Sequence, residues 1–228
     1  PVQERYDLLK SHHATAEKRY YPLAQEVITG TYVGDYDYVL DLLDRCYFPT
    51  REGVANFHDN FVDALILAGE EKIAEGKVEQ AVTLYKKAFT YPENHQVFLV
   101  DERATHDAQI NYCLGEAYAA LGQDAEAEKY WKLAAEQDYE LKGSKDFRYW
   151  TGLALERLGR KAEAEAIFSA LVADGEAAVV TQHVNFYGAE GTTGVTVDII
   201  NSAAYYTQAL GHLGLGHRGK AKRLFAEV

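Results

Sequence analysis

Small and apolar residues recur along this chain on one fixed schedule. The clearest copy is Gly115, Gly122, Ala127, Trp131 and Ala134, and the same offsets return at Gly152, Gly159, Ala164, Phe168 and Leu171. They fit again at Gly69, Gly76, Ala81, Tyr85 and Ala88, and at Ala209, Gly216, Ala221, Phe225 and Val228. A weaker copy runs through Val27, Gly34, Val39, Leu43 and Cys46. The apolar positions around each frame follow a helical rather than an alternating period. Each copy therefore predicts two antiparallel helices. The first Gly and the Ala sit where the helices cross, because a larger side chain there holds the backbones apart. The second Gly ends the first helix in the left-handed conformation that suits a residue without a Cβ. The aromatic four residues after the Ala is expected to fill the space between one pair and the next. A pair with apolar faces on both sides must stack on its neighbours.

On these residues the chain resembles the tetratricopeptide repeat family, which places small residues, Gly, Ala, an aromatic and a closing Pro on this schedule. Pro92 after Ala88 matches the closing Pro, and the other copies lack it. The resemblance implies an all-α fold, an α-α superhelix of about five helix pairs. The pairs are expected at 20–46, 62–88, 108–134, 145–171 and 202–228, after a partial helix of an upstream repeat at 1–19 carrying Tyr6, Leu9 and His13 on one side. The intervals between pair starts all exceed the 34 residues of the standard repeat, so the linkers are long and the superhelix irregular.

A narrower likeness lies in Tyr47-Phe48-Pro49-Thr50-Arg51-Glu52-Gly53, then His58, then Tyr91-Pro92-Glu93-Asn94. It is similar to an uncharacterised bacterial group in which a mutarotase-like β-sandwich precedes a run of such pairs. That resemblance implies a β domain upstream of Pro1 and a link to carbohydrate metabolism, and it supplies no catalytic residues here. The chain opens on Pro1 and holds no methionine. It reads as a piece of a longer protein, or as one whose methionines are missing from the sequence. The constant offsets exclude such gaps within any copy of the frame.

Charge narrows the range of partners. A formal net charge of −12 and a pI near 5.1 repel a polyanion on average, and no basic stripe reverses this, so nucleic acid is not expected. No apolar run is long enough to span a membrane and no signal-peptide pattern is present, which points to a cytoplasmic protein. Cys46 and Cys113 lack CxxC spacing and read as buried reduced thiols. His58-Asp59 and His106-Asp107 are tempting pairs, but a metal needs three or four converging ligands and no HExxH occurs, so neither a metal nor a cofactor is expected. Gly188 to Gly194 has no following Lys-Ser/Thr, which excludes a phosphate loop. Asp107 is expected to cap a helix beginning at Ala108, and Ser144 one beginning at Lys145.

What chemistry remains points to a groove. In stacked pairs of this family the first helices line the concave face, and their fifth core positions are Ala24, Ile66, Tyr112, Tyr149 and Tyr206. Tyrosine combines wide apolar area, a hydroxyl and a low entropic cost of ordering, which suits a peptide, a protein surface or a sugar. The same rings could equally pack against neighbouring helices. Glu116, Asp146 and Arg157 lie on the same helices, in a mildly acidic setting. The long linkers 89–107 and 172–201 are further candidates for function, the second expected to fold over one end of the groove or onto the last pair. The sequence thus predicts a non-catalytic scaffold binding a protein or peptide. The alternative is a helical accessory domain of a carbohydrate-active protein, and the apolar outer face expected of the last pair suggests self-association there.

Overall fold

The computed structural model describes residues 1–49, 57–95, 106–136, 147–180 and 197–228. The fold is all-α: among these residues there is no strand. The chain forms two compact units, Pro1–Ala127 and Glu128–Val228.

The first unit holds α1 (Val2–Ser11), α2 (His13–Ala16), α3 (Tyr20–Val33), α4 (Tyr36–Arg45), α5 (His58–Ala74), α6 (Val78–Lys87), a 3-10 turn (Glu93–His95) and α7 (Asp107–Ala120). The second holds α9 (Arg148–Arg157), α10 (Lys161–Ala178), α11 (Val197–Gly214) and α12 (Arg218–Phe225), and the division falls within α8 (Asp124–Ala135). Within each unit successive helices pack on one another, α3 to α4 to α5 to α6 to α7 in the first and α9 to α10 to α11 to α12 in the second.

The second glycine of every copy of the frame ends its helix left-handed, with φ of 82° at Gly34, 75° at Gly76, 70° at Gly122, 75° at Gly159 and 74° at Gly216. Each is followed by an N–H that reaches back over the whole last turn: Asp35 to the Gly30 carbonyl, Lys77 to Lys72, Gln123 to Tyr118, Arg160 to Leu155 and His217 to His212, all at 2.8–3.0 Å. The glycine N–H closes the inner bond, as from Gly122 to the Ala119 carbonyl at 3.0 Å. This double closure satisfies the last carbonyls and reverses the chain in two residues, so the second helix returns along the first.

The first glycine marks the crossing. A Cβ on Gly69 overlaps the Tyr85 ring and one on Gly152 overlaps the Phe168 ring, so each aromatic lies across the glycine of its own pair. That corrects the expectation that the ring fills only the space between pairs. Phe168 does both, since Gly214 of the next pair also lies against it, and the ring is fully buried. The last crossing is tighter than the frame indicates. Gly175 faces the Ala204 carbonyl and Gly211 the Phe168 carbonyl, each 2.6 Å from where a Cβ would lie, so α10 and α11 run backbone against backbone.

Three local expectations are corrected. The helix expected over 1–19 breaks at His12, whose N–H is shared between the Leu8 and Leu9 carbonyls. Asp107 lies inside the first turn of α7 rather than capping it, where its carboxylate complements the helix dipole. Residues 172–178 continue α10 and 197–201 belong to α11, so much of the supposed linker is helix. Ser144 and the segment 183–194 lie outside the described residues.

Candidate functional site

The positions singled out for a groove do not share one environment. Ala24 and Ile66 are buried, so the fifth position is core in α3 and α5. In α7 of the first unit, Tyr112 and Glu116 are half-buried. In the second unit Tyr149 is half-buried, with its ring 5.8 Å from Phe168 and 5.4 Å from Trp150. Its hydroxyl is pushed above the ordinary phenol range by burial and then by the nearby Glu156 and Tyr206. Tyr206 on α11 is 40% exposed and meets Phe225 edge-on at 5.9 Å. Arg157 is exposed, its guanidinium 5.9 Å from the Trp131 ring centre. Asp146 lies outside the described residues. Tyr149 and Tyr206 are therefore electrostatic neighbours on the first helices of successive pairs, and Tyr206 is the more open of the two.

Two of the residues behind the narrower likeness, Phe48 and Asn94, meet in the first unit, joined there by His95. Asn94 donates to the Leu43 carbonyl at 2.9 Å and the Cys46 carbonyl at 2.6 Å, and His95 donates through Nε2 to Leu43 at 2.8 Å. The Phe48 N–H returns a bond to the Asn94 carbonyl at 2.8 Å. Together they satisfy carbonyls at the end of α4 that the helix leaves open. Phe48 stacks on Phe57 at 4.2 Å, and His95 stands edge-on to both rings and to Phe61. This arrangement is a structural clamp; Thr50 to Gly53 of the motif lie outside the described residues.

His58 stacks on Tyr91 at 4.1 Å in the same region and is buried. Burial, helped by His106 and His95, pushes its imidazole down to about 4, against the opposing charge of Asp59. Burial also lowers His95. Burial opposes protonation of His106 as well, but Asp59, 3.3 Å away, and Asp63 outweigh it and raise that residue. The stability consequence of His58 has a definite sign. The native state holds fewer protons than the unfolded chain between about pH 6.5 and 4, so stability is full above that window and falls as pH drops through it. Relative to a His58→Phe variant, the wild type is expected to lose about 3 kcal/mol across this interval, read from urea midpoints at pH 7 and pH 4. His106, which is raised, contributes with the opposite sign.

Near the start of the chain lies a polar network that the frame did not indicate. Glu26 is completely buried on α3, accepts from the Tyr38 hydroxyl at 2.7 Å and lies 3.0 Å from His13 Nδ1. Arg45 reaches the other His13 nitrogen at 2.9 Å while pairing with Asp41 at 2.8 Å and lying 3.7 Å from Glu17. Tyr6 donates to Asp35 at 2.6 Å, and Lys10 pairs with the same carboxylate. Hydrogen bonds from Lys10 and Tyr6 hold Asp35 below the ordinary carboxylate range. Burial and the bond to Glu26 push the Tyr38 hydroxyl up, away from any use as a base at neutral pH. Beside this network is an open cleft of about 560 Å³ lined in part by Glu17, Arg19, Tyr20, Arg45 and Tyr47. The sequence offered one clue, a glutamate among the apolar positions of α3, but its partners lie on other helices.

Among the described residues, no group of three or more His, Cys, Asp or Glu side chains is arranged to hold a metal ion. Cys113 and Cys46 are buried, and burial raises both thiols. No described helix is long and apolar enough to cross a membrane.

No family model matches the chain. No curated protein matches it. One solved structure similar to it is that of YrrB, described as a TPR protein with an unusual peptide-binding site. The two are 15% identical over 96% of this chain and 89% of that one, with a TM-score of 0.35. A likeness at that score does not extend to the surfaces described above.

Proposed function

We propose that the chain is a non-catalytic binding module that engages a protein or peptide on the first helices of its pairs. Each unit is assigned its own surface: Tyr112 and Glu116 in the first, and Tyr149, Tyr206 and Arg157 in the second. One observation carries the reading: Tyr206 keeps 40% of its surface open on α11 while its ring is braced by Phe225 and neighboured by Tyr149. A braced, half-open aromatic loses little entropy on binding and offers both apolar area and a hydroxyl. The ionisable groups of the first unit support the non-catalytic part, because Glu26, His13, Tyr38 and Arg45 are engaged with one another. A general base instead needs a free lone pair directed at a substrate.

Affinity capture from the source cell, compared between wild type and Tyr206→Ala, tests this reading. Capture of a specific partner is expected to fall at least tenfold in the variant, with an unchanged melting temperature. Tyr149→Ala is expected to lower both, because that ring also packs on Phe168. Equal capture by wild type and Tyr206→Ala contradicts the assignment.

A further inference from the structure

The chain carries a net charge of −12, yet α12, with the sequence Arg-Gly-Lys-Ala-Lys-Arg-Leu-Phe, holds four cations and no carboxylate. None of Arg218, Lys220, Lys222 and Arg223 makes an ion pair among the described residues, and all four are exposed. Arg45, Lys72, Lys87, Lys132 and Arg160 elsewhere each pair with a carboxylate, and although Lys18, Arg19 and Lys161 do not, only α12 gathers four such cations on one short helix among the described residues. The α12 cations also border a depression. A cavity of about 350 Å³ is lined by Gln208 and His212 of α11 and by Lys220, Arg223, Leu224 and Glu227 on the α12 side. Lys220, Arg223 and Leu224 are spaced three and four apart, so they share one stripe of α12, and Glu227, beyond the helix end, adds a single carboxylate to the rim.

We propose that this groove between α11 and α12 binds an acidic peptide segment of a partner protein, with Lys220 and Arg223 taking its carboxylates and Leu224 its apolar side chains. The proposal rests on the reading of the chain as an interaction module, and it adds a second surface and the chemistry of its partner. Charge complementarity selects the occupant. Unpaired cations at the mouth of a cavity attract carboxylates, and Arg offers them a two-pronged contact. The groove is too mixed and too short for nucleic acid. Eight helical residues span about 12 Å, room for about three phosphates along one strand, and the rest of the chain repels a longer polyanion. Leu224 in the groove adds apolar surface, which an acidic peptide with interspersed leucines uses and a phosphate backbone does not.

The probe is a short fluorescein-labelled peptide of repeating Glu-Glu-Leu, titrated with the whole chain and read by fluorescence anisotropy. Saturable binding that weakens with added salt is expected, and a Gln-Gln-Leu peptide should bind at least tenfold more weakly. Lys220→Glu with Arg223→Glu should lower the affinity for the acidic peptide at least tenfold. Arg19→Glu in the first unit should change it less than twofold. Because α12 buries only Ala221, the double variant is expected to keep its helical circular dichroism; if it does not, Lys220→Gln alone carries the comparison. Equal binding of the Gln peptide, equal binding by the double variant, or tighter binding of an oligothymidylate of matched charge overturns the proposal. So does concentration-dependent dimerisation that the double variant abolishes while no peptide binds, which assigns the groove to a second copy of the chain. The peptide assay does not involve Tyr206, so its failure leaves the capture experiment standing, and the reverse also holds.

Discussion

Replacing Gly211 with valine is expected to unfold the second unit. The missing Cβ at that position lies 2.6 Å from the Phe168 carbonyl oxygen and 2.8 Å from the Val172 backbone nitrogen. Those are backbone atoms of a long helix and cannot step aside as a flexible side chain can. The α10–α11 packing must open instead, and it takes with it the contacts that Gly175 makes with Ala204 and Gln208 and that Gly214 makes with Phe168. Overpacking ordinarily costs about 1–3 kcal/mol, and this substitution is expected to exceed that range. Gly159→Ala is the matched control. No atom lies within 4 Å of its added methyl, but its φ of 75° is left-handed, so a loss of about 1 kcal/mol from backbone strain alone is expected. Thermal melts of the two variants separate close packing from backbone conformation. A Gly211→Val protein as stable as Gly159→Ala contradicts the described α10–α11 contact.

Glu26→Ala is expected to be the most damaging polar substitution in the first unit, at about 3 kcal/mol, the upper end of the cost of breaking hydrogen bonds at a buried polar group. The carboxylate is wholly buried, and it is the acceptor for the Tyr38 hydroxyl and a partner of His13. Truncation leaves both groups without it and opens a void between α3 and its neighbours. Glu26→Gln keeps the volume and one acceptor oxygen, so about half of the loss is expected to return. Denaturation midpoints for the pair, with the Tyr38→Phe variant of each, give the coupling energy. If Tyr38→Phe costs as much in Glu26→Ala as in wild type, the bond between the two side chains contributes nothing.

What the sequence disclosed and what it concealed divide along the range of the interactions. Gly34, Gly76, Gly122, Gly159 and Gly216 were legible because a left-handed helix end is a local demand, met within six residues of chain. Gly69 and Gly152 were legible as crossings because each ring they accommodate sits 16 residues along the same hairpin. The Asn94–Leu43 bond joins residues 51 apart, and no local pattern marks such a partnership. The close approach at Gly211 was not marked by the frame, because the frame describes the packing within pairs, whereas Gly175 and Gly211 serve the packing of one pair on the next. The tyrosines show the limit most clearly. Tyr149 and Tyr206 occupy equivalent positions in the repeat, yet Phe168 and Trp150 cover much of one ring and leave the other open. Exposure is a property of neighbours, which spacing does not supply.

The claim on which all of this depends is that left-handed glycines turn the chain back on itself at five places. Native-state hydrogen exchange measured amide by amide tests it directly, because the closure places a specific N–H of each hairpin in a bond across the whole last helical turn. The amides of Asp35, Lys77, Gln123, Arg160 and His217 are expected to exchange far more slowly than those of the exposed residues that follow them. Exchange of these five amides at the rate of an unstructured chain contradicts the hairpins.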